Sequence, residues 1–167
     1  MNMPAHEIVQ IVDRDNRVTG ALPRHQMRSQ RLIHRACYIL VFNGREELFV
    51  QKRTMIKDIY PGYWDVAAGG VVLAGESYEQ SASRELAEEL GVSGVPLTSL
   101  FDCYFEDPGN KVWGRIFRCT HEGPFILQPE EVESGLFMTV PRILERSLQE
   151  PFTPDGILIL RQIFDHC

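Results

Sequence analysis

Residues 70–92, GVVLAGESYEQSASRELAEELGV, carry the helix around which the fold is predicted. Residues 76–90 contain no glycine or proline, and their apolar residues recur with helical periodicity. Gly91 follows where such a helix would end, because glycine adopts the left-handed backbone of a helix C-terminus without steric cost. The stretch therefore predicts a helix over residues 76–90.

At roughly 100° per residue, residues 82–90 divide into an apolar face and a charged face. The apolar face carries Ala82, Ser83, Leu86 and Leu90, with Ala87 at its border. The charged face carries Arg84, Glu85, Glu88 and Glu89. On this division three carboxylates share one surface, since Glu85 precedes the other two by one helical turn.

This acidic surface is unfavourable by itself. Like charges at these spacings repel by roughly a few tenths of a kcal/mol per pair, and the negative end of the helix dipole adds a similar penalty. Arg84 offsets part of the repulsion through Glu88, one turn later on the helix. A hard divalent cation with oxygen ligands, Mg²⁺ or Mn²⁺, would offset the rest. A solvated acidic helix face is the alternative interpretation.

The spacing of charged residues extends back into the preceding loop. Five residues separate Gly70 from Glu76, seven separate Glu76 from Arg84, and Gly91 and Val92 complete the pattern. This pattern resembles the Nudix box, G-x5-E-x7-R-E-U-x-E-E-x-G-U with U aliphatic, at every specified position. Its seven fixed positions would match by chance in about one of 10⁸ windows, given residue frequencies of ~6–7%. The resemblance to the Nudix family is therefore specific.

The resemblance implies an architecture and a reaction. The fold would be a Nudix-like α/β/α sandwich with a mixed β-sheet, in the α/β (α+β) class. One domain would cover residues 1–167, with residues 1–31 as an N-terminal strand or arm packed on it. The reaction would be hydrolysis of a phosphoanhydride in a nucleoside diphosphate-linked or other small diphosphate compound, with Mg²⁺ or Mn²⁺ as cofactor.

The family pattern also implies a metal site at the matching positions. Glu85, Glu88 and Glu89 would bind the metal ions. Gly70 would let the backbone approach the metal or the substrate closely, because a side chain would obstruct that approach. Glu76 would reach from the loop to the helix and orient the metal ligands without binding the metal itself.

Catalytic roles are implied for Arg84, Glu88 and Glu131. Arg84 would orient the carboxylates. Glu88 is one candidate for the base that activates the attacking water, and Glu131 is another, since many Nudix enzymes use an acidic residue from a late loop. An acidic surface loop explains the acidic run at residues 130–133 equally well.

Residues 34–76 are also similar to the branch of the superfamily that contains isopentenyl-diphosphate isomerase. Where the isomerases have a catalytic cysteine and a metal-binding histidine, this chain has Gly69 and Val71. Two metal-binding glutamates of a later isomerase strand have no counterpart in residues 110–112. His34 has a clear counterpart, although a structural histidine is the alternative for it. The isomerase chemistry is therefore missing, whereas the hydrolase box is complete.

The isomerases hold the substrate diphosphate with an arginine and a lysine in the loop that here contains Arg53 and Lys57. The resemblance therefore implies that these two cations bind the substrate and complement the metal. Two solvated loop cations are the alternative. Tyr60 and Trp64 could form a pocket wall, although Trp64 could equally belong to the core.

Apolar alternation and turn residues predict the remaining elements. Strands are predicted at residues 7–13, 36–43, 48–52, 65–68, 70–73, 99–105, 111–120 and 135–140. Residues 36–43 and 48–52 should form a hairpin. A short helix or arm is predicted at residues 22–31, and closing helices at residues 141–148 and 153–166.

The composition restricts the class of partner and the compartment. The net charge of −6 argues against a nucleic-acid polymer as the main partner. No apolar run approaches the ~18 residues needed to span a bilayer, and the N-terminus lacks the features of a signal peptide. A cytoplasmic enzyme with a small-molecule diphosphate substrate and no membrane partner is predicted. A homodimer is compatible with the family resemblance.

The cysteines predict neither a zinc site nor a disulfide framework, because no C-x-x-C pair is present. The chain contains Cys37, Cys103, Cys119 and Cys167. Cys37 and Cys119 lie in apolar, strand-like stretches and are predicted to be buried thiols.

Three function classes follow from these features. A divalent-metal-dependent diphosphate hydrolase leads because its box is complete. A non-catalytic diphosphate-binding sensor is the second class, and an isomerase acting without the usual cysteine is the third. The box does not identify the group attached to the diphosphate. The aromatic residues at 101–105 and Trp113 could stack on a base or form core.

Overall fold

The structure is a computed structural model in which residues 4–164 are described. The strands in that range are β1 (Ile8–Val12), β2 (Val18–Pro23), β3 (His34–Phe42), β4 (Leu48–Arg53), β5 (Trp64–Asp65), β6 (Ala68–Val71), β7 (Thr98–Asp107), β8 (Asn110–Thr120) and β9 (Val132–Met138). The helices are α1 (Arg24–Ser29), α2 (Tyr78–Leu90), α3 (Val140–Arg146) and α4 (Pro154–Phe164), and a 3₁₀ turn covers Pro4–His6. None of these helices is long and apolar enough to cross a membrane.

Strand β3 is the centre of a mixed sheet. It runs parallel to β8, from His34 opposite Val112 to Phe42 opposite Thr120, and antiparallel to β6 on its other edge. Strand β7 extends the sheet beyond β8. The predicted mixed sheet is confirmed.

Helices cover both faces of β3, because successive residues of a strand point to opposite sides. Ile39 and Val41 lie in a buried cluster with side chains of α2. Leu40 and Phe42 lie in a second buried cluster with side chains of α3 and α4. A central strand covered on both faces is apolar along its length, which explains the run ACYILVF. This arrangement confirms the predicted α/β/α layers.

Strand β4 leaves β3 directly after the connecting turn. Among the described residues, Phe42 and Leu48 are the one pair that joins the two strands. Strand β4 then pairs with β9 along its length and with β5 at its end. The predicted hairpin is therefore wrong beyond its turn, since β6 and β8 occupy the two edges of β3.

Helix α2 begins at Tyr78, slightly after the predicted start at residue 76. Ser77 caps it: the Ser77 hydroxyl accepts a hydrogen bond from the Gln80 N–H at 3.1 Å, and the Gln80 side chain accepts one from the Ser77 N–H at 2.9 Å. Gly91 ends the helix with a left-handed φ of 67°. The predicted C-terminal end is confirmed, and both caps fix the register of the acidic residues between them.

The predicted division of α2 into two faces is wrong at two positions. Glu89 is only 4% exposed, whereas Ser83 is exposed. At ~100° per residue, the step from Ala82 to Glu89 returns to within roughly 20° of the starting direction. Glu89 therefore shares the buried face with Ala82 and Leu86, and its carboxylate has to find partners inside the protein.

The N-terminal segment packs against the sheet close to the glycine-containing strand β6. Strand β2, which the sequence did not indicate, forms a hairpin with β1. Helix α1 is shorter than the arm predicted at residues 22–31. Val9, Ile11, Met27 and Val71 share a buried cluster that joins β1, α1 and β6. The segment is thereby held beside the residues of the box.

The closing helices and the cysteines are the remaining predicted features. The closing helices correspond to α3 and α4, and residues 165–166 of the second prediction lie outside the described residues. Cys37 and Cys119 are buried free thiols, as predicted. Cys103 is a free, half-buried thiol, and Cys167 lies outside the described residues.

Leu86→Ala should lower the free energy of unfolding by about 2–5 kcal/mol, because Leu86 is 2% exposed and packs between α2 and the sheet. The matched control is Ser83→Ala on the exposed side of the same helix, which should change it by less than about 0.5 kcal/mol. Chemical denaturation followed by circular dichroism measures both values. Equal losses in the two variants would contradict the orientation of α2.

Candidate functional site

Arg84 connects the loop before α2 to the carboxylates on the helix. Its Nε and Nη2 atoms donate to both carboxylate oxygens of Glu76, at 2.7 and 2.9 Å. Its Nη1 donates to Glu85 at 2.9 Å and to Glu88 at 3.3 Å. Glu76 also accepts a hydrogen bond from the Leu73 N–H at 2.9 Å. One guanidinium therefore fixes the loop and two helix side chains together.

The electrostatics of this pair favour permanent charge on both partners. Burial acts to raise the pKa of Glu76, but the hydrogen bonds from Arg84 and the Leu73 N–H lower it overall. The same hydrogen bonds to Glu76 raise the pKa of Arg84. The pair is thus an ionised bridge that orients the neighbouring carboxylates.

Gly70 provides room for the Glu85 carboxylate. A Cβ atom on residue 70 would lie 2.8 Å from the carboxylate carbon of Glu85, closer than van der Waals contact allows. The Glu85 side chain, 15% exposed, therefore lies directly against the backbone of β6. Burial raises the pKa of Glu85, although Arg84 opposes the shift.

Glu89 lies deeper than Glu85 on the same side of α2. Its carboxylate accepts hydrogen bonds from the Gly69 N–H and from the Gln51 Nε2, both at 3.3 Å. Burial, followed by the negative charge of Glu85, raises the pKa of Glu89 to about 8. Two buried carboxylates thus oppose each other's ionisation, and a cation between them would relieve that repulsion.

Glu88 lies beside Glu85 but is more exposed, since the same Arg84 Nη1 donates to both carboxylates. Its side chain is 50% exposed and accepts a hydrogen bond from Arg84. Within residues 4–164, no group of three or more histidine, cysteine, aspartate or glutamate side chains is arranged to hold a metal ion. The structure brings Glu85 and Glu89 together in the interior, and Glu88, at the solvent edge, stays a predicted ligand.

The two buried carboxylates fit a hard cation. Mg²⁺ is commonly held by one or two carboxylates, with waters and substrate phosphates completing its shell. Glu85 and Glu89 supply two carboxylates beside a backbone cradle that a side chain at Gly70 would fill. The Oε1 atom of Gln51, whose amide group binds Glu89, is buried without a hydrogen-bond partner.

A narrow cavity of about 70 Å³ opens beside Gly69 and Gly70. The cations that line it come from separate segments: Arg24 and Arg28 of α1, Arg53 at the end of β4, and Lys57 in the following loop. The carboxylates in its lining are Asp65 and Asp155, and the buried pair Glu85 and Glu89 borders it through Gly69 and Gly70. This charge pattern suits an anion that is bound together with a metal ion.

The Arg53 side chain is held in this cavity by hydrogen bonds from its two terminal nitrogens. Its side chain is 14% exposed, so it is not a solvated loop cation. Nη1 donates to Asp65 at 3.0 Å and Nη2 to the Ile59 carbonyl at 2.9 Å. The Nε–H is buried without an acceptor. An unsatisfied buried donor costs about 1–3 kcal/mol, which an anionic ligand would offset.

Lys57 and Glu131 form an ion pair between two loops. Their side chains are 12% and 23% exposed, so Glu131 is not simply part of a solvated acidic loop. The Glu131 carbonyl also accepts a hydrogen bond from the Thr54 N–H at 3.3 Å. Burial, with Arg53 next, lowers the pKa of Lys57. Lys57 lines the cavity and Glu131 does not, so Glu131 is connected to the site through Lys57.

Arg24 and Arg28 are cavity residues that the sequence did not indicate. Asp58 bridges them, accepting from the Nε of each at 2.9 and 3.0 Å. Burial acts to raise the pKa of Asp58, but the two arginines hold it well below its usual range. Arg28 also donates to Asn110 at 3.2 Å. The spacing of one helical turn between Arg24 and Arg28 was visible in the sequence. No local sequence pattern indicated that Asp58 would lie beside them.

The aromatic candidates divide between cavity and core. Tyr60 lines the cavity and donates a hydrogen bond to Asp107. Trp64 packs on Phe152, with ring centroids 6.4 Å apart. Trp113 packs on Tyr104 at 5.6 Å, away from the cavity lining. Tyr60 is thus the aromatic residue of this group that reaches the site.

The NUDIX domain family model matches residues 32–158. The chain belongs to the NUDIX family. It is therefore a Nudix-type hydrolase, of the class that acts on acid anhydrides. An uncharacterized Nudix hydrolase of Pseudomonas aeruginosa, PA4841, is 43% identical over 159 residues, which cover 95% of this chain and 94% of that protein.

A second relative agrees with this family, and a solved structure shares the fold. The uncharacterized Nudix hydrolase YfcD of Escherichia coli K12 is 46% identical over 154 residues, which cover 92% of this chain and 84% of that protein. The crystal structure of DR0079 from Deinococcus radiodurans has a TM-score of 0.82 and 24% identity, over 95% of this chain and 99% of that one. The structural likeness shows that the fold is shared.

His34 of this Nudix hydrolase is a buried residue at the edge of the cavity. It is 2% exposed, and its Nδ1 donates to the Leu32 carbonyl at 3.2 Å. Burial, assisted by the positive charge of Arg28, lowers its pKa to about 3. These contacts support the structural role that the sequence offered as an alternative to a metal ligand.

The Nudix hydrolase should lose stability as the pH falls from about 6.5 towards 3. The folded state keeps His34 neutral, whereas the unfolded chain takes up a proton near pH 6.5, so acid favours unfolding. His34→Gln should reduce this slope, which is at most about 1.4 kcal/mol per pH unit for one group. Denaturation at pH 5 and pH 7 measures it, with the exposed His6→Gln as control. An unchanged slope in His34→Gln would rule out this origin.

Gly70→Ala should reduce hydrolysis by about 10–100-fold, because the new Cβ displaces the Glu85 carboxylate and small misplacements at a reacting centre are costly. Steady-state rates measure the effect, and circular dichroism checks the fold. Gly20→Ala is the control, since nothing lies within 4 Å of a Cβ at that position. Wild-type rates in Gly70→Ala would contradict the close packing of Glu85.

Proposed function

We propose that this enzyme hydrolyses a phosphoanhydride in a nucleoside diphosphate-linked or other small diphosphate compound, with Mg²⁺ or Mn²⁺ held by Glu85 and Glu89. The observation that carries the proposal is the buried carboxylate pair beside Gly70, which adjoins a cavity lined by cations. A site with both signs of charge can hold a metal ion and an anion together.

The bound cation would neutralise charge on the phosphates and lower the pKa of a coordinated water. The chain's own residues hold and orient the ions. Arg84, fixed by Glu76, keeps Glu85 and Glu88 in place. This positioning matters because phosphoryl transfer depends mainly on geometry and charge stabilisation.

The cations of the cavity bind the diphosphate. Arg53 presents a buried Nε–H that has no acceptor, and a phosphate oxygen would supply one. Lys57, which lines the cavity, can turn from Glu131 towards the phosphate. Arg24 and Arg28 add two guanidinium groups from α1. These contacts would select a doubly phosphorylated group over a neutral ligand.

Glu88 and Glu131 are the candidate bases for the attacking water. The water oxygen forms a bond to one phosphorus while the bridging P–O bond breaks, and the water proton passes to a carboxylate. Glu88 is solvent-accessible on α2, where a water can reach it. Glu131 becomes available as a base when Lys57 moves to the phosphate. A base has to lie within one hydrogen bond of that water.

Turnover on a panel of diphosphate compounds should require Mg²⁺ or Mn²⁺ and should stop when a chelator removes the metal. Glu89→Gln should lower kcat/KM by at least about 100-fold, because one buried metal ligand is lost. The control is Glu79→Gln at the start of α2, whose carboxylate binds Arg115 on the surface. Release of phosphate or of a nucleoside monophosphate measures the rates.

The outcomes distinguish the candidate functions. Turnover that survives both the chelator and Glu89→Gln would overturn the metal-dependent mechanism. Metal-dependent binding of diphosphates without turnover would indicate the sensor instead. In the same assay, Glu88→Gln and Glu131→Gln identify the base, because loss of the base removes the acidic limb of the pH–rate profile.

A further inference from the structure

A second cavity, of about 740 Å³, adjoins the candidate site. The 3₁₀ turn and α1 form one wall, and the loops after β4 and before β9 form the other. We name it the N-terminal pocket; Pro4, Ala5, His25, Ser29, Ile56 and Glu130 belong to its lining. It is larger than the narrow cavity beside Gly70, so it has room for an organic group.

The two cavities share their cations. Arg24, Arg28 and Lys57 line both the narrow cavity and the N-terminal pocket. A diphosphate held by these side chains would therefore lie at the boundary between the two spaces. A group attached to the phosphate farther from Glu85 and Glu89 would point into the N-terminal pocket.

The free surface of the N-terminal pocket is mainly apolar. Pro4 and Ala5 line one side, and Ile56, which is 77% exposed, lines the other. An exposed isoleucine gains from burial against an apolar ligand, because its hydrocarbon surface leaves water. Met55 is similarly exposed, at 73%, but does not line the pocket.

His25, Ser29 and Asp58 of the pocket already have partners within the protein. His25 donates from Nδ1 to the Ala5 carbonyl at 2.9 Å, and Ser29 donates to the Gln26 carbonyl at 3.2 Å. Asp58 is engaged by both arginines of α1. A polyhydroxylated group such as a sugar would lose hydrogen bonds to water and find few replacements.

We propose that the N-terminal pocket binds an apolar, alkyl-type group carried by the diphosphate substrate. The inference rests on the proposed function, since it assigns the group that the diphosphate carries. The cations at the boundary bind the phosphates, and the apolar walls bind the hydrocarbon. Hydrolysis would convert an alkyl diphosphate and water into an alkyl monophosphate and phosphate, with the alkyl–oxygen bond left intact.

Methyl diphosphate and hexyl diphosphate test the pocket, because they differ only in hydrocarbon. Each buried methylene should improve binding by up to about fourfold, so kcat/KM should favour the hexyl compound by at least about tenfold even when burial is partial. Ile56→Ser should reduce that preference to about threefold or less. The loss of kcat/KM should be larger for the hexyl compound than for the methyl compound, because the longer chain buries more hydrocarbon.

Met55→Ser is the matched control, since it removes a similarly exposed apolar side chain from the same loop. It should keep the full preference for the hexyl compound. Loss of the preference in both variants, or equal kcat/KM for the two compounds in the wild-type enzyme, would overturn the pocket assignment. So would higher kcat/KM for ADP than for hexyl diphosphate, with no effect of Ile56→Ser on ADP.

Binding of the non-hydrolysable methyl and hexyl esters of methylenediphosphonate separates this inference from the proposed function. Calorimetry with Mg²⁺ present should show tighter binding of the hexyl ester, and Ile56→Ser should remove the difference. If no diphosphate is cleaved but this difference is found, the hydrolysis proposal fails and the pocket stands. If diphosphates are cleaved but the two esters bind equally, the pocket fails and the hydrolysis proposal stands.

Discussion

The burial of two carboxylates where α2 meets β6 is the constraint on which the site depends. Glu85 lies against the backbone of Gly70, and Glu89 accepts hydrogen bonds from the Gly69 N–H and from Gln51. Burial raises the pKa of both carboxylates, and the negative charge of Glu85 raises that of Glu89 further. A protein interior accommodates such groups when hydrogen bonds and opposite charge surround them. The two glycines, the buried amide and the nearby cations provide those surroundings.

The rest of the architecture keeps that junction rigid. Strand β3 holds β6 on one edge and is packed on both faces, so the glycine backbone has little freedom to move. Helix α2 is fixed at its start by the capping box of Ser77 and at its end by Gly91. The ion pair between Arg84 and Glu76 then ties the intervening loop to the helix. The carboxylates are therefore positioned by the fold rather than by the preferences of flexible side chains.

Local contacts of the site were predictable from the sequence, and long-range contacts were not. The end of α2 at Gly91 and the contact between Arg84 and Glu88 follow from helical spacing. The burial of Glu89 also follows from that spacing, because seven residues return the helix to within roughly 20° of Ala82. Other features join distant segments, such as Arg28 with Asp58 across 30 residues, or the Lys57 pair with its partner 74 residues away. Strand β3 also depends on a contact that is distant in sequence, because it pairs in parallel with β8. The local alternation of apolar residues therefore could not show that its predicted hairpin would fail.

The difference between local and long-range contacts also explains why the box identifies the reaction but not the substrate. The carboxylates lie on one local motif, so any chain with that spacing can build a similar acidic surface. The cations facing it come from α1 and from the loop after β4, and here they are already paired with Asp58 and Glu131. An entering diphosphate has to compete with those carboxylates, so its net gain from charge alone is the difference between two sets of ion pairs. Additional affinity then has to come from the group attached to the diphosphate, and the apolar N-terminal pocket lies where that group would emerge.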